Sequence, residues 1–208
     1  MRWALATIGC AALVAAAVYL GACWAPASEE GGDVYRMLYA HIPLAANTLL
    51  AFAVASVASA VYLARKKDAA DRLARAAMAC GVVMGAAMMA TGMIWARMAW
   101  GHWWDFRSAK LLFSLLLWLL MVGYFLLRSS RAADVRQRKI AAVYCLIAFL
   151  DVPLVYFSSR LAAGDAHPPS IALGHWQMHV ALAAGFLAAT ALHGLLLSVL
   201  MRHKTNEQ

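Results

Sequence analysis

Six apolar stretches, each about as long as a bilayer crossing, dominate this chain: residues 3–24, 43–64, 77–96, 109–127, 140–157 and 178–200. A hydrocarbon core about 30 Å thick is crossed by roughly 20 helical residues. Lipid offers no partner to an open backbone, so such a segment closes its amides into an α-helix. The joints between the stretches are short. The expected fold is all-α: a polytopic membrane helix bundle with six transmembrane helices and short loops, forming one domain over residues 1–208. Composition agrees. Hydrophobic residues make up 64% and charged residues 13%, too few polar side chains to cover a soluble domain.

Charge sorts the joints. A net charge of +8 in a soluble chain would point to nucleic acid. Here lysine and arginine gather in two short runs, ARKKDAADRLAR at 64–75 and RSSRAADVRQRK at 128–139, both between apolar stretches. Cytoplasmic loops carry that excess under the positive-inside rule, so no nucleic-acid partner is expected. With those loops inside, both termini are inside, and Arg202 and Lys204 agree. Residues 25–42, 97–108 and 158–177 then face outward, with Arg36, Arg97, Arg107 and Arg160 as their clear cations and Lys110 at the membrane edge.

The first stretch has a rival reading. Arg2, an apolar run and LGAC ending at Cys23 loosely match a lipoprotein signal. The run exceeds the usual signal core of about 7–15 residues, and a retained helix is expected. Cys10, Cys23, Cys80 and Cys145 form no CxxC or CxxCH, so neither thiol redox chemistry nor covalent haem attachment is indicated. Cys10, Cys80 and Cys145 read as small buried hydrophobes. No Walker-type glycine loop occurs, so an ATPase would be a separate subunit, and no catalytic constellation marks the chain as an enzyme.

The chemistry gathers on the outward side. His41, His102, His167, His175 and His179 all fall there on this topology, whereas His193 lies within the sixth stretch and His203 inside. Between the third and fourth stretches stands WGHWWDFRSAK, residues 100–110. An interfacial aromatic belt accounts for tryptophans, but not for His102, Asp105 and Arg107 packed among them. Trp100, Trp103 and Trp104 cannot share one helical face, which suggests an irregular or interface-lying segment presenting several rings. Such a shelf suits haem, a flat apolar ring whose iron accepts axial histidines. Arg97, Arg107 and Lys110 would meet its propionates, since a guanidinium pairs a carboxylate in bidentate fashion. A simpler metal site is the alternative: His175 and His179 are four apart and share a helical face, with Asp165 the nearest acidic ligand.

Two other functions compete. A cytochrome b would need histidine pairs on two helices. His179 and His193 are fourteen apart, about 21 Å along one helix, but no second helix matches them. A transporter permease predicts broken or charged helices near the bilayer centre, and Asp151 with Pro153, expected at the outer edge, is the one hint. His193 reads as a hydrogen-bonded core histidine with Thr190 nearby.

Longer motifs carry a resemblance. APASEEGGDVYRMLYAHIP ahead of an apolar helix, and TGMIWARMAWGHWW leading into another, resemble the haem exporter protein C (CcmC) family of cytochrome c maturation, within the tryptophan-rich WWD haem-handling proteins. Tyr35, Arg36, Tyr39, His41 and Pro43 match its first outer motif. Thr91, Gly92, Trp95, Trp100, Gly101, Trp103 and Trp104 match its second. Asp151 to Pro153 and His167 resemble its third. The resemblance implies a bacterial cytoplasmic (inner) membrane protein that holds haem b on the outer face and passes it to the haem chaperone CcmE. Its company would be the ATP-binding cassette subunits CcmA and CcmB and the small protein CcmD. It implies His41 and His167 as axial ligands, with Trp100, Trp103, Trp104 and Asp105 as the shelf and Arg36, Arg97 and Arg107 as propionate partners. The chain departs from the family pattern Trp-Gly-x-Trp-Trp-x-Trp-Asp: Asp105 directly follows Trp104, and the third tryptophan is either missing or replaced by Phe106, in which case Arg107 stands where the motif has its acid. The paired tryptophans usual before His167 are also missing.

Overall fold

A computed structural model of the chain describes residues 2–29, 31–128, 135–161, 165, 167 and 172–202. These are helical almost throughout. Helix α1, Arg2–Tyr19, continues as a π turn over Leu20–Trp24. A 3₁₀ turn at Asp33–Met37 leads into α2, Leu38–Arg65, followed by α3, Asp68–Trp100, and α4, Ala109–Leu126. Helices α5, Val135–Ala148, α6, Asp151–Leu161, and α7, Trp176–Arg202, complete the order. Six helical segments are long and apolar enough to cross a membrane: Trp3–Trp24, Asp33–Arg65, Asp68–Trp100, Ala109–Leu126, Val135–Ser158 and Trp176–Arg202.

Three boundaries differ from expectation. The second and third segments are longer than their apolar stretches: α2 starts earlier, with Leu38 and Tyr39 in a buried cluster, and α3 starts earlier, with Asp68 and Asp71 in its first turn, and runs on to Trp100. Only Lys66 and Lys67 remain between α2 and α3, with Lys66 at φ 52°. The fifth segment is two helices. The chain turns at Phe149 and Leu150, and α6 restarts with Asp151 and with Pro153 in its first turn, where a missing N–H leaves no intrahelical bond unmade. Residues 129–134 of the second basic run, residues 162–164, 166 and 168–171 of the 158–177 loop, His203 and Lys204 lie outside the described residues.

The chain divides into two compact units, residues 1–47, 84–104 and 170–199, and residues 48–83, 105–169 and 200–208. In the first, Ala25, Leu38, Tyr39, Met178 and Ala181 form a buried cluster flanked by Leu20, Tyr35, Ile42, Leu173 and Leu182. Pro43 supplies no N–H to the Tyr39 carbonyl one turn earlier, and α7 brings Gly185 against that carbonyl; a Cβ there would collide with it and with Pro43 Cγ. Deeper along the same two helices, the Asn47 side chain bonds the Pro43 carbonyl (2.9 Å), Thr190 Oγ1 (3.4 Å) and His193 Nδ1 (3.1 Å). His193 is thus a buried, hydrogen-bonded core histidine. Its partner is Asn47, and Thr190 is bonded to Asn47.

In the second unit α4 packs on α5 and α6. Tyr144 lies over Gly123 and donates to the Leu120 carbonyl (3.0 Å), and Trp118 Nε1 donates to the Val82 carbonyl (3.0 Å). Arg128 grips Asp71 with both terminal nitrogens (2.6 and 2.8 Å) and reaches Tyr124 Oη. Arg138 pairs with Asp68 at 2.7 Å. Two residues of the first basic run, Asp68 and Asp71, are therefore counter-ions for cations that follow the fourth and open the fifth segment. Cys10, Cys80 and Cys145 are buried, as expected, and Cys23 is exposed.

Candidate functional site

Among the described residues the histidines differ in their surroundings, beginning with His41. It sits in the first turn of α2, half-buried. Its Nδ1 lies 3.1 Å from the Met88 carbonyl and 3.1 Å from Thr91 Oγ1, both on α3. A carbonyl only accepts, so Nδ1 carries the proton. The Thr91 hydroxyl already donates within its own helix, to the Ala87 (3.0 Å) or Met88 (2.9 Å) carbonyl, and accepts from His41. The neutral ring is therefore the Nδ1–H tautomer, and Nε2 is its basic nitrogen. Gly92 backs the ring: a Cβ there would lie 2.9 Å from His41 Cε1. One turn of α3 thus sets tautomer, tilt and depth of the imidazole.

The same end of α3 carries an aromatic row. Tyr35 meets Trp95 edge-on (6.3 Å between centroids), Trp95 meets Trp100 edge-on (4.8 Å), and Trp100 lies 5.9 Å from the His102 ring. The helix ends at Trp100, and Gly101 at φ +79° turns the chain out of it, a conformation glycine reaches without strain. Within the stretch 97–108, expected to face outward, Arg97 and Trp100 are helical and residues 101–108 are irregular. Trp103 is exposed, and Trp104 is half-buried. Arg97 donates to the Gly101 carbonyl. Arg36 is held by Asp33 (2.8 Å) and by the Gly21 and Ala25 carbonyls.

In the other unit, Asp105 accepts from the Arg107 backbone N–H (2.9 Å) and pairs with its side chain (3.3 Å). Ser108 caps α4, accepting from the Leu111 N–H (3.2 Å). His167 is half-buried, and its backbone N–H donates to Asp165 (2.9 Å). Burial would push the Asp165 carboxyl upward, but the Ser108 hydroxyl and the N–H groups of His167 and Lys110 hold its pKa below the ordinary 3.8. Asp165 is thus ionised at neutral pH. The stabilisation from these bonds is complete above 3.8 and is lost as pH falls through the lowered value.

His102, His175 and His179 are exposed, and among the described residues no three of His, Cys, Asp or Glu converge on a possible metal. The sequence reading missed Thr91 and Met88 as partners of His41, Trp95 as the link between Tyr35 and Trp100, and Asp165 as a structural acceptor. Thr91 and Trp95 stood within recognisable motifs. Met88 acts through its backbone, which leaves no trace in side-chain chemistry.

Comparison with known proteins identifies the family. The family profile described as "Heme exporter protein C" matches residues 1–208. A putative cytochrome c biosynthesis ccmC-like mitochondrial protein of Marchantia polymorpha is 27% identical over 87% of this chain and 77% of its own. Heme exporter protein C of Rhodobacter capsulatus is 27% identical over 80% of this chain and 72% of its own. The Escherichia coli K12 protein of that name is 33% identical over 65% of this chain and 55% of its own.

Proposed function

The chain belongs to the haem exporter protein C family, and from that premise we propose that it binds haem b as cargo at the outer face of the cytoplasmic membrane and presents it to the chaperone CcmE for cytochrome c maturation. Both termini would be cytoplasmic, and the working assembly would include CcmA, CcmB and CcmD. The proposed axial ligands are His41 and His167. Trp100, Trp103, Trp104 and Asp105 form the proposed shelf, and Arg36, Arg97 and Arg107 the proposed propionate partners. The chain's task is to hold and orient, with no covalent step of its own.

The observation that carries this reading is the fixing of His41. An imidazole whose Nδ1–H is spent on a backbone carbonyl, with a hydroxyl beside it and a glycine behind it, has the second-sphere arrangement of a metal-ligating histidine. A merely interfacial histidine needs none of it. The three arginines suit a cargo site as well. Each already has an internal acceptor, so a propionate exchanges with an existing bond, and the grip stays weak enough for transfer.

The test is the absorption spectrum of the detergent-purified chain with haem. The parent is expected to give a six-coordinate, low-spin spectrum. His41→Ala and His167→Ala each lose it, and His175→Ala keeps it. Equal loss in His175→Ala or His179→Ala would move the site to the sixth segment.

A further inference from the structure

Among the described residues of the 158–177 loop, Asp165 has the most completely engaged side chain, and the proposed function leaves it without a role. Its Oδ1 accepts from the Ser108 hydroxyl (2.7 Å) and from the His167 backbone N–H (2.9 Å), while Oδ2 accepts from the Lys110 backbone N–H (3.1 Å). Ser108 is itself buried; its N–H donates to the Asp105 carbonyl (3.2 Å) and its oxygen caps α4. A continuous path of hydrogen bonds thus runs from Asp105, through the capping serine, to Asp165 and on to His167, all within one compact unit.

The chemistry of the path is specific. The first N–H groups of a helix lack intrahelical acceptors, and the helix dipole adds positive potential there. A carboxylate from a distant loop answers both, and Asp165 crosses 55 positions of sequence to do so. By taking the His167 N–H with the same oxygen that binds Ser108, it fixes the histidine's backbone relative to the first turn of α4.

We propose that Asp165 is the positioning residue for His167, clamping that histidine to the N-terminus of α4 directly after the tryptophan segment. The proposal rests on the haem-ligand reading of His167. Asp165 touches no cargo. It acts through the histidine, restricting where the imidazole can be offered.

The experiment uses the full-length purified chain, with and without haemin. Asp165→Ala is expected to weaken haemin binding roughly 10- to 100-fold, the usual range for loss of an outer partner, and to convert the low-spin spectrum to a five-coordinate one. Added imidazole restores the low-spin form, as it does in His167→Ala. Asp165→Asn, which keeps one accepting oxygen, falls between parent and alanine. In the haem-free chain, hydrogen exchange at residues 108–112 and at 165–167 accelerates together in Asp165→Ala, with helical content unchanged. Parental spectrum, affinity and exchange in Asp165→Ala would overturn the clamp. A parental spectrum in His167→Ala would instead overturn the ligand reading; the exchange result would then decide the clamp by itself.

Discussion

His41 and Gly92 show how much of an imidazole's chemistry is set by the residues packed around it. The ring's Nδ1 proton is committed to a carbonyl and a hydroxyl on α3, and its Cε1 edge lies where a Gly92 side chain would be. Gly92→Ala is therefore expected to displace the imidazole and abolish the low-spin haem spectrum, while circular dichroism stays at parental helicity. Thr91→Val removes one acceptor and leaves the Met88 carbonyl, so the loss of haem affinity is expected to be smaller, about tenfold. An equal, mild effect of both variants in a haem titration would show that Gly92 does not set the ring's place. The motif that contains Thr91 and Gly92 was legible in the sequence. Their service to His41 was not, because helix α3 meets it 47 and 50 positions away.

Among the elements, the approach of α7 to α2 illustrates a division of labour between two helix breakers. Pro43 releases the Tyr39 carbonyl, and Gly185 lets the facing backbone occupy the space beside it. Gly185→Ala forces a methyl group into that contact, and overpacking of this kind costs about 1–3 kcal/mol. Gly194, in the same helix, has open space on its side-chain side: a Cβ there would meet nothing within 4 Å. Gly194→Ala is expected to be neutral or to stabilise by up to about 1 kcal/mol through helix propensity. Unfolding in mixed micelles by a denaturing detergent separates the two, and equal effects would remove Gly185 from the contact. The break at Phe149 and Leu150 teaches the opposite lesson about legibility. Both residues are apolar, and Asp151 with Pro153 just beyond them read as the outer edge of the span, so a window of about 20 residues reads one helix where the backbone makes two.

At the scale of the whole molecule, the distribution of charge gives a topology that labelling can check. With Cys23 replaced by Ser, a cysteine placed at the exposed Asp33 is expected to react with an impermeant thiol reagent in intact cells. One placed at Lys67 is expected to react only after the membrane is opened. The reverse pattern would turn the proposed haem face inward. Six membrane-length helices, the basic runs and the tryptophan-histidine segment were all determined by the sequence itself, because bilayer thickness, backbone satisfaction in lipid and side-chain polarity act on consecutive residues. The tertiary structure alone decided the tautomer of His41, the partner of His193 and the acceptor role of Asp165. Each of these depends on a hydrogen bond joining groups between 47 and 146 positions apart. A bond of that kind has a length and an angle only after the helices have packed, so no local pattern in the chain can announce it.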